Sequence, residues 1–258
     1  MSIDNVDSIA ERDRRGYTVL DALTHAGLGL SPTYSKPDAF ICVDGHTYWV
    51  KAEVQQGLVA ELIAGRLAER IGAGPVARII RVSSESRPPD GSADHLDGTI
   101  VGSRHADGVV NARELSPLMA SGQFQAGAID PATRARVVAF QTWIGVGDSQ
   151  VLISLTDGKV LSIDHGECFG NVDDLVSPPA LVLTDIPGIA PDVGRDSVHV
   201  IAAVERIEAI TEAHLVEAVS QIPAGSNWSA PSDRRLSIAK WLLARRDSLR
   251  PVLEGWMT

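Results

Sequence analysis

The chain is poor in cysteine and in lysine. Only Cys42 and Cys168 occur, far apart and in no metal-ligand spacing, which excludes a disulfide framework or a structural zinc site as the basis of the fold. Both read as reduced, packed thiols. There are four lysines, Lys36, Lys51, Lys159 and Lys240, and 23 basic residues face 33 acidic ones for a formal charge of −10. Such a balance argues against a general nucleic-acid or anionic-membrane surface, because those partners attract basic patches; a local basic cleft is still compatible with it. No hydrophobic run approaches the length of a membrane span, and the opening MSIDNVDSIAERDRRG is polar with no apolar centre. The expected address is therefore cytoplasmic, with no membrane partner. Internal repeats, a GxxxxGK[ST] phosphate loop and a histidine ligand cluster are all absent from the sequence, and a lone Gly27-x-Gly29 is too little for a dinucleotide fold.

What is present is ordinary globular composition, 44% hydrophobic and 22% charged over 258 residues, enough for a sizeable core in one domain or two joined lobes. An N-terminal segment with room for a short helix leads to a small-residue loop, GLGLSPTYS (27–35). Two β-rich runs, Ala39–Val43 and His46–Ala52, flank Asp44-Gly45, a dipeptide suited to the positive φ of a tight turn. Val59, Ile63, Leu67 and Ile71, with Leu58 and Leu62 beside them, predict an amphipathic helix over 57–72 closed by glycines. A strand in ARIIRVS, a polar connection (83–98) and a short strand at Thr99–Ser103 follow. Beyond lie an apolar helix, Pro131–Val146, a hairpin of Val151–Leu155 and Lys159–Asp164 across Thr156-Asp157-Gly158, and helices in 197–221 and 232–254. The Pro-rich stretch 178–191 reads as a surface loop, and Trp143, Trp228, Trp241 and Trp256 read as core.

A few side chains stand out chemically. Lys51 sits inside the apolar run TYWVKA, where an ammonium either finds an ionic partner or snorkels to water from the strand end. Glu61, in the second turn of the following helix, is placed to hold Lys51 extended, or else is simply solvated. Asp148 follows an apolar helix and Asp164 ends a strand, so the hairpin between them brings two distant carboxylates to one edge. One carboxylate there is suited to orient an acceptor hydroxyl and the other to grip Mg²⁺, a hard cation that takes carboxylate and phosphate oxygens. Asp164-His165-Gly166 taken alone also fits a plain turn.

The ordered set VK, helix-borne Glu, long interval, GxGD, hairpin, IDHG resembles the HipA-like kinases and, more distantly, the phosphoinositide kinases. The resemblance covers residues 27–170 in motifs. It implies an α+β, two-lobed protein-kinase-like fold, with a small antiparallel-sheet lobe over 1–103 and a mainly helical lobe over 104–258. It also implies ATP and Mg²⁺ as cofactors and an unidentified hydroxyl, on a protein or a small molecule, as phosphate acceptor. Carried over residue by residue, Lys51 matches the nucleotide-phosphate lysine, Glu61 its helix partner, Asp148 the catalytic aspartate and Asp164 the metal aspartate. Gly27, Gly29 and Ser31 fall where a phosphate-covering loop belongs, and Gly102 and Ser103 where the hinge meets adenine. The chain departs from many relatives after Asp148: instead of Arg-His and a later metal-binding Asn it reads Ser149-Gln150 and enters a strand, leaving the Gln150 carbonyl oxygen to replace the Asn oxygen.

That shortened loop keeps a second class in view, a nucleotide-binding pseudokinase acting as a regulatory binding module. A third is an SGNH-type ester hydrolase, because Gly147-Asp148-Ser149 and Asp196-Ser197-Val198-His199 look like its GDS and DxxH blocks. In that family, however, the serine block opens the domain, whereas here half the chain precedes it.

Overall fold

The computed structural model describes residues 6–27, 38–50, 55–91, 93–96, 98–169, 180–186, 189–190, 192–223 and 228–257. After helix α1 (Val6–Asp13), five strands, β1 (Val19–His25), β2 (Asp38–Cys42), β3 (Thr47–Val50), β4 (Ala77–Val82) and β5 (Gly98–Arg104), close into a barrel in the order β1-β2-β3-β5-β4. Four of its pairings are antiparallel, as expected. The fifth, β1 with β4, is parallel and is what closes the barrel. The β2–β3 turn forms at Asp44-Gly45, with Gly45 at φ 78° and the Asp44 carboxylate accepting from the His46 N–H and the Tyr48 hydroxyl.

Helix α2 (Gln55–Ile71) lies across β4 and β5. It approaches closely because Gly65 meets Ala77, where an added Cβ would stand 2.5 Å from the alanine methyl. The periodicity predicts an amphipathic helix, but residues 57–65 are all buried, since α2 also packs on helices α4 (Pro131–Ile144) and α6 (Glu212–Val219). Its Arg66 donates to the carbonyls of Ala218 and Ser220 at the C-terminus of α6. Burial of Leu62, Ile63, Leu67 and Ile71, at roughly 1.5–3 kcal/mol each, is what holds the barrel to the helical part.

A second, antiparallel sheet runs β6-β7-β8 from β6 (Val109–Asn111), β7 (Gln150–Ser154) and β8 (Val160–Ile163), with helix α3 (Ala112–Ala120) after β6. Helices α5 (Ser197–Glu208), α6, α7 (Ser232–Asp247) and α8 (Leu249–Glu254) complete the chain. The expected helical span 197–221 breaks in two because Thr211 caps a new N-terminus by accepting from the His214 N–H. The four tryptophans expected in the core are buried, as are both cysteines, which are free thiols.

Helix α4 is the central shaft. Asp130 caps it, Pro131 opens it, and Gly145 ends it in the left-handed conformation. The β7–β8 hairpin docks on its start: Gly158 has φ 69°, and a Cβ there would lie 1.6 Å from the Ala128 carbonyl oxygen, while the Gly158 carbonyl accepts from the Asp130 N–H. Gly122 shares the left-handed backbone (φ 72°) but has nothing within 4 Å of the added atom. Gly122→Ala is therefore expected to cost only the conformational strain, about 1–3 kcal/mol, and Gly158→Ala clearly more, at roughly 2–4 °C of melting temperature per kcal/mol. Thermal melts of the two variants check this; equal shifts would show that the hairpin tip is not seated as described.

Candidate active site

The site grows from the register of one hairpin. Gln150 of β7 pairs with Ile163 of β8, so the segment just before β7, Asp148-Ser149, and the segment just after β8, Asp164-His165, leave the sheet at the same end. The expectation from sequence that Asp148 and Asp164 share an edge is met by this pairing. Asp148 is exposed and Asp164 half-buried. Asp164 takes a left-handed backbone, φ 62°, which aspartate tolerates better than most residues. Five residues on, Phe169 is left-handed as well (φ 71°), its N–H donating to the Ile144 carbonyl at the end of α4 and its ring edge-on to Trp241. The 164–169 loop is thus folded back against the core.

Helix α2 reaches this loop. Glu61 is buried at 7% exposure, and its Oε2 accepts from the His165 backbone N–H at 2.5 Å, while Oε1 lies 3.7 Å from the His165 Nδ1. Just past the helix, the Ala73 carbonyl accepts from the Ser162 N–H at 2.7 Å, so β8 is gripped along its free edge. Cys168 lies beneath: burial, and then the Glu61 carboxylate, push its thiol well above the ordinary range.

Behind the hairpin runs a set of buried and half-buried side chains, of which sequence reasoning missed Gln141 and Ser162. The Ser149 hydroxyl donates to Gln141 Oε1 (2.6 Å), Gln141 Nε2 donates to Ser162 Oγ (2.9 Å), and Ser162 Oγ meets His165 Nε2 (2.8 Å). Phe140 stands edge-on to the His165 ring. The available signal was a glutamine inside the apolar run VVAFQTWI and a serine inside the strand VLSI.

Gly102 and Ser103 lie in β5, with Gly102 opposite Val50, the residue before Lys51, and Ser103 opposite Trp49. A Cβ at Gly102 would stand 2.6 Å from Ile80 and 3.0 Å from Tyr48, so this glycine fills a packed interior position. Lys51, Gly29 and Ser31 lie outside the described residues. Ser149 and His199 share no hydrogen bond: the serine hydroxyl is engaged by Gln141, and His199 Nδ1 pairs with Asp196 Oδ2 at the start of α5. The hydrolase reading gains no support from this geometry. Among the described residues no group of three or more His, Cys, Asp or Glu side chains forms a metal cage. Asp148, Gln150 and Asp164 bring hard oxygen donors to the hairpin end, a sparse set of the kind that suits Mg²⁺, which keeps waters and phosphates as its other ligands.

The chain is similar to the crystal structure of a Helicobacter pylori proinflammatory kinase, CtkA, at 12% identity and a TM-score of 0.57, over 92% of this chain and 97% of that one. This likeness assigns a kinase-like fold of mixed α and β structure. A family model described as HipA-like kinase matches residues 33–245, and the chain belongs to that family. Golgi casein kinase crystallised with Mn and ADP is a further neighbour, at 11% identity and a TM-score of 0.42 over 97% of this chain and 76% of that one; the fold assignment rests on the first alone. No curated protein matches the sequence.

The Glu61 contact is testable by stability. Glu61→Ala leaves the buried His165 N–H without its acceptor, an expected loss of about 1–3 kcal/mol, whereas Glu61→Gln keeps an oxygen in place and should lose less. Urea unfolding measures both; variants equal to each other would show that the bond to His165 does not hold the loop.

Proposed function

We propose that the chain is an ATP- and Mg²⁺-dependent phosphotransferase acting on a hydroxyl of a protein or a small molecule. The observation that carries the reading is the Gln150–Ile163 pairing together with the Glu61 bond to the residue after Asp164: one acidic loop, one acidic turn and one helix glutamate meet at a single end of a hairpin. In this reading Asp148, exposed at the mouth, accepts a hydrogen bond from the acceptor hydroxyl and turns its oxygen toward the γ-phosphoryl group. Asp164, with the Gln150 carbonyl oxygen, holds the metal. Lys51 contacts the phosphates with Glu61 as its helix partner, the loop carrying Gly29 and Ser31 covers them, and Gly102 and Ser103 border the adenine. Mg²⁺, when bound, neutralises charge on the phosphate oxygens, and the protein's share of catalysis is positioning and electrostatic stabilisation. The division into a lobe over 1–103 and a lobe over 104–258 belongs to the same proposal, with the nucleotide between them.

Asp148→Asn keeps the shape and removes the charge, and a loss of about 10²–10⁴-fold in ATP turnover is expected. Asp164→Ala is expected to abolish turnover and the metal dependence of nucleotide binding, with the fold intact by circular dichroism. Full turnover in both variants would reject the assignment.

One feature favours a second reading. Strand β7 starts at Gln150, two residues after Asp148, so the catalytic loop has no length for the Arg-His of many relatives. A pseudokinase would bind ATP with Mg²⁺ and turn none of it over in the unaltered protein, and that result selects the binding module.

A further inference from the structure

The polar network behind the hairpin centres on one amide. Gln141 is fully buried in the last turns of α4, and its amide has one acceptor oxygen and one two-hydrogen donor. The oxygen takes the Ser149 hydroxyl hydrogen, and the nitrogen donates to Ser162 Oγ and, at 3.4 Å, to the Gln150 backbone carbonyl. Ser162 Oγ also meets His165 Nε2 at 2.8 Å. On its other side the ring's Nδ1 lies 3.7 Å from Glu61 Oε1. Every bond of the amide therefore ends on one of two segments: the residues following Asp148, or the strand that delivers Asp164.

We propose that Gln141 is a positioning residue, which fixes the distance and angle between the Asp148 loop and the Asp164 turn; the inference rests on the phosphotransferase reading above. A side chain serving stability alone would need only to have its own polar atoms satisfied. Gln141 instead spends its acceptor on Ser149, a half-buried loop residue next to the exposed Asp148, where a water molecule would serve as well for stability but not for aim. Neighbouring α4 residues would hold the fold without it: Trp143 donates to the Leu242 carbonyl and Arg245 binds the Thr142 and Trp143 carbonyls.

The test is a double-mutant cycle read on ATP turnover, with Gln141→Met, which keeps the volume and removes the amide, Ser149→Ala, and the pair together. Each single change is expected to lower kcat by roughly 10- to 100-fold, as misplacement of reacting groups does, with KM for ATP within about twofold. The double variant is expected to be no slower than the slower single one, since both cut the same link. An unchanged kcat in folded Gln141→Met, or losses that multiply, would overturn the inference while leaving the phosphotransferase reading in place. Should Gln141→Met not fold, Ser149→Ala decides from the solvent side, and an unchanged kcat there overturns it equally. If the unaltered protein turns over no ATP, whether or not it binds it, the phosphotransferase reading itself is lost and the inference goes with it.

Discussion

A helix buried on every side cannot leave its polar side chains to water, and that constraint on α4 organises the rest of the structure. From Thr133 to Ile144 only Arg136 is less than buried, yet the helix carries Thr133, Arg134, Gln141 and Thr142. Each must find a partner or cost its full desolvation. Thr133 accepts from the Val160 N–H at the start of β8, Arg134 pairs with Asp185 and binds the Val193 carbonyl, Gln141 joins both ends of the hairpin, and Thr142 accepts from the Thr184 N–H. The polar residues of one helix are the fixed points to which four separate pieces of chain are tied.

The hairpin inherits its placement from that shaft. Its tip is seated on the helix start, its open end is held by Gln141, and its free edge is held by the end of α2 and by Glu61. A carboxylate loop carried on such an element needs little length of its own, and this gives a physical account of how Asp148 is presented by a loop that enters a strand two residues later. Preorganisation of this kind lowers the cost of assembling charged groups around a substrate at the moment of reaction.

Local signals in the sequence were legible where the chemistry is local. Asp44-Gly45 and Thr156-Asp157-Gly158 mark real turns, the run Val59 to Ile71 marks α2, and the two aspartates fall at one edge as their spacing implies. Strand β1 was not legible, because VLDALTH has neither alternation nor a continuous apolar run, and only Ala22 is buried within it; its place is set by parallel pairing with β4, a contact about 60 residues away in sequence. The burial of α2 on every face over residues 57–65 was hidden for the same reason, since its second and third neighbours come from later in the chain. Gln141 was hidden because a glutamine in a helix reads as solvent-facing until the tertiary structure surrounds it. Of the residues proposed to meet the nucleotide, Lys51, Gly29 and Ser31 lie outside the described residues, while Asp148, Gln150 and Asp164 fall at one end of the hairpin and Glu61 bonds to the loop beside them.

The open end of the β7–β8 hairpin is proposed to hold a metal-bound nucleotide. Crystals grown with Mg²⁺ and a non-hydrolysable ATP analogue test it directly. The expected result is a metal about 2.1 Å from an Asp164 oxygen, a distance set by the ion itself, with the Gln150 side-chain oxygen beside it and the Asp148 carboxylate facing the terminal phosphate. A nucleotide bound elsewhere on the chain, or a metal with neither Asp164 nor Gln150 in its shell, would contradict it.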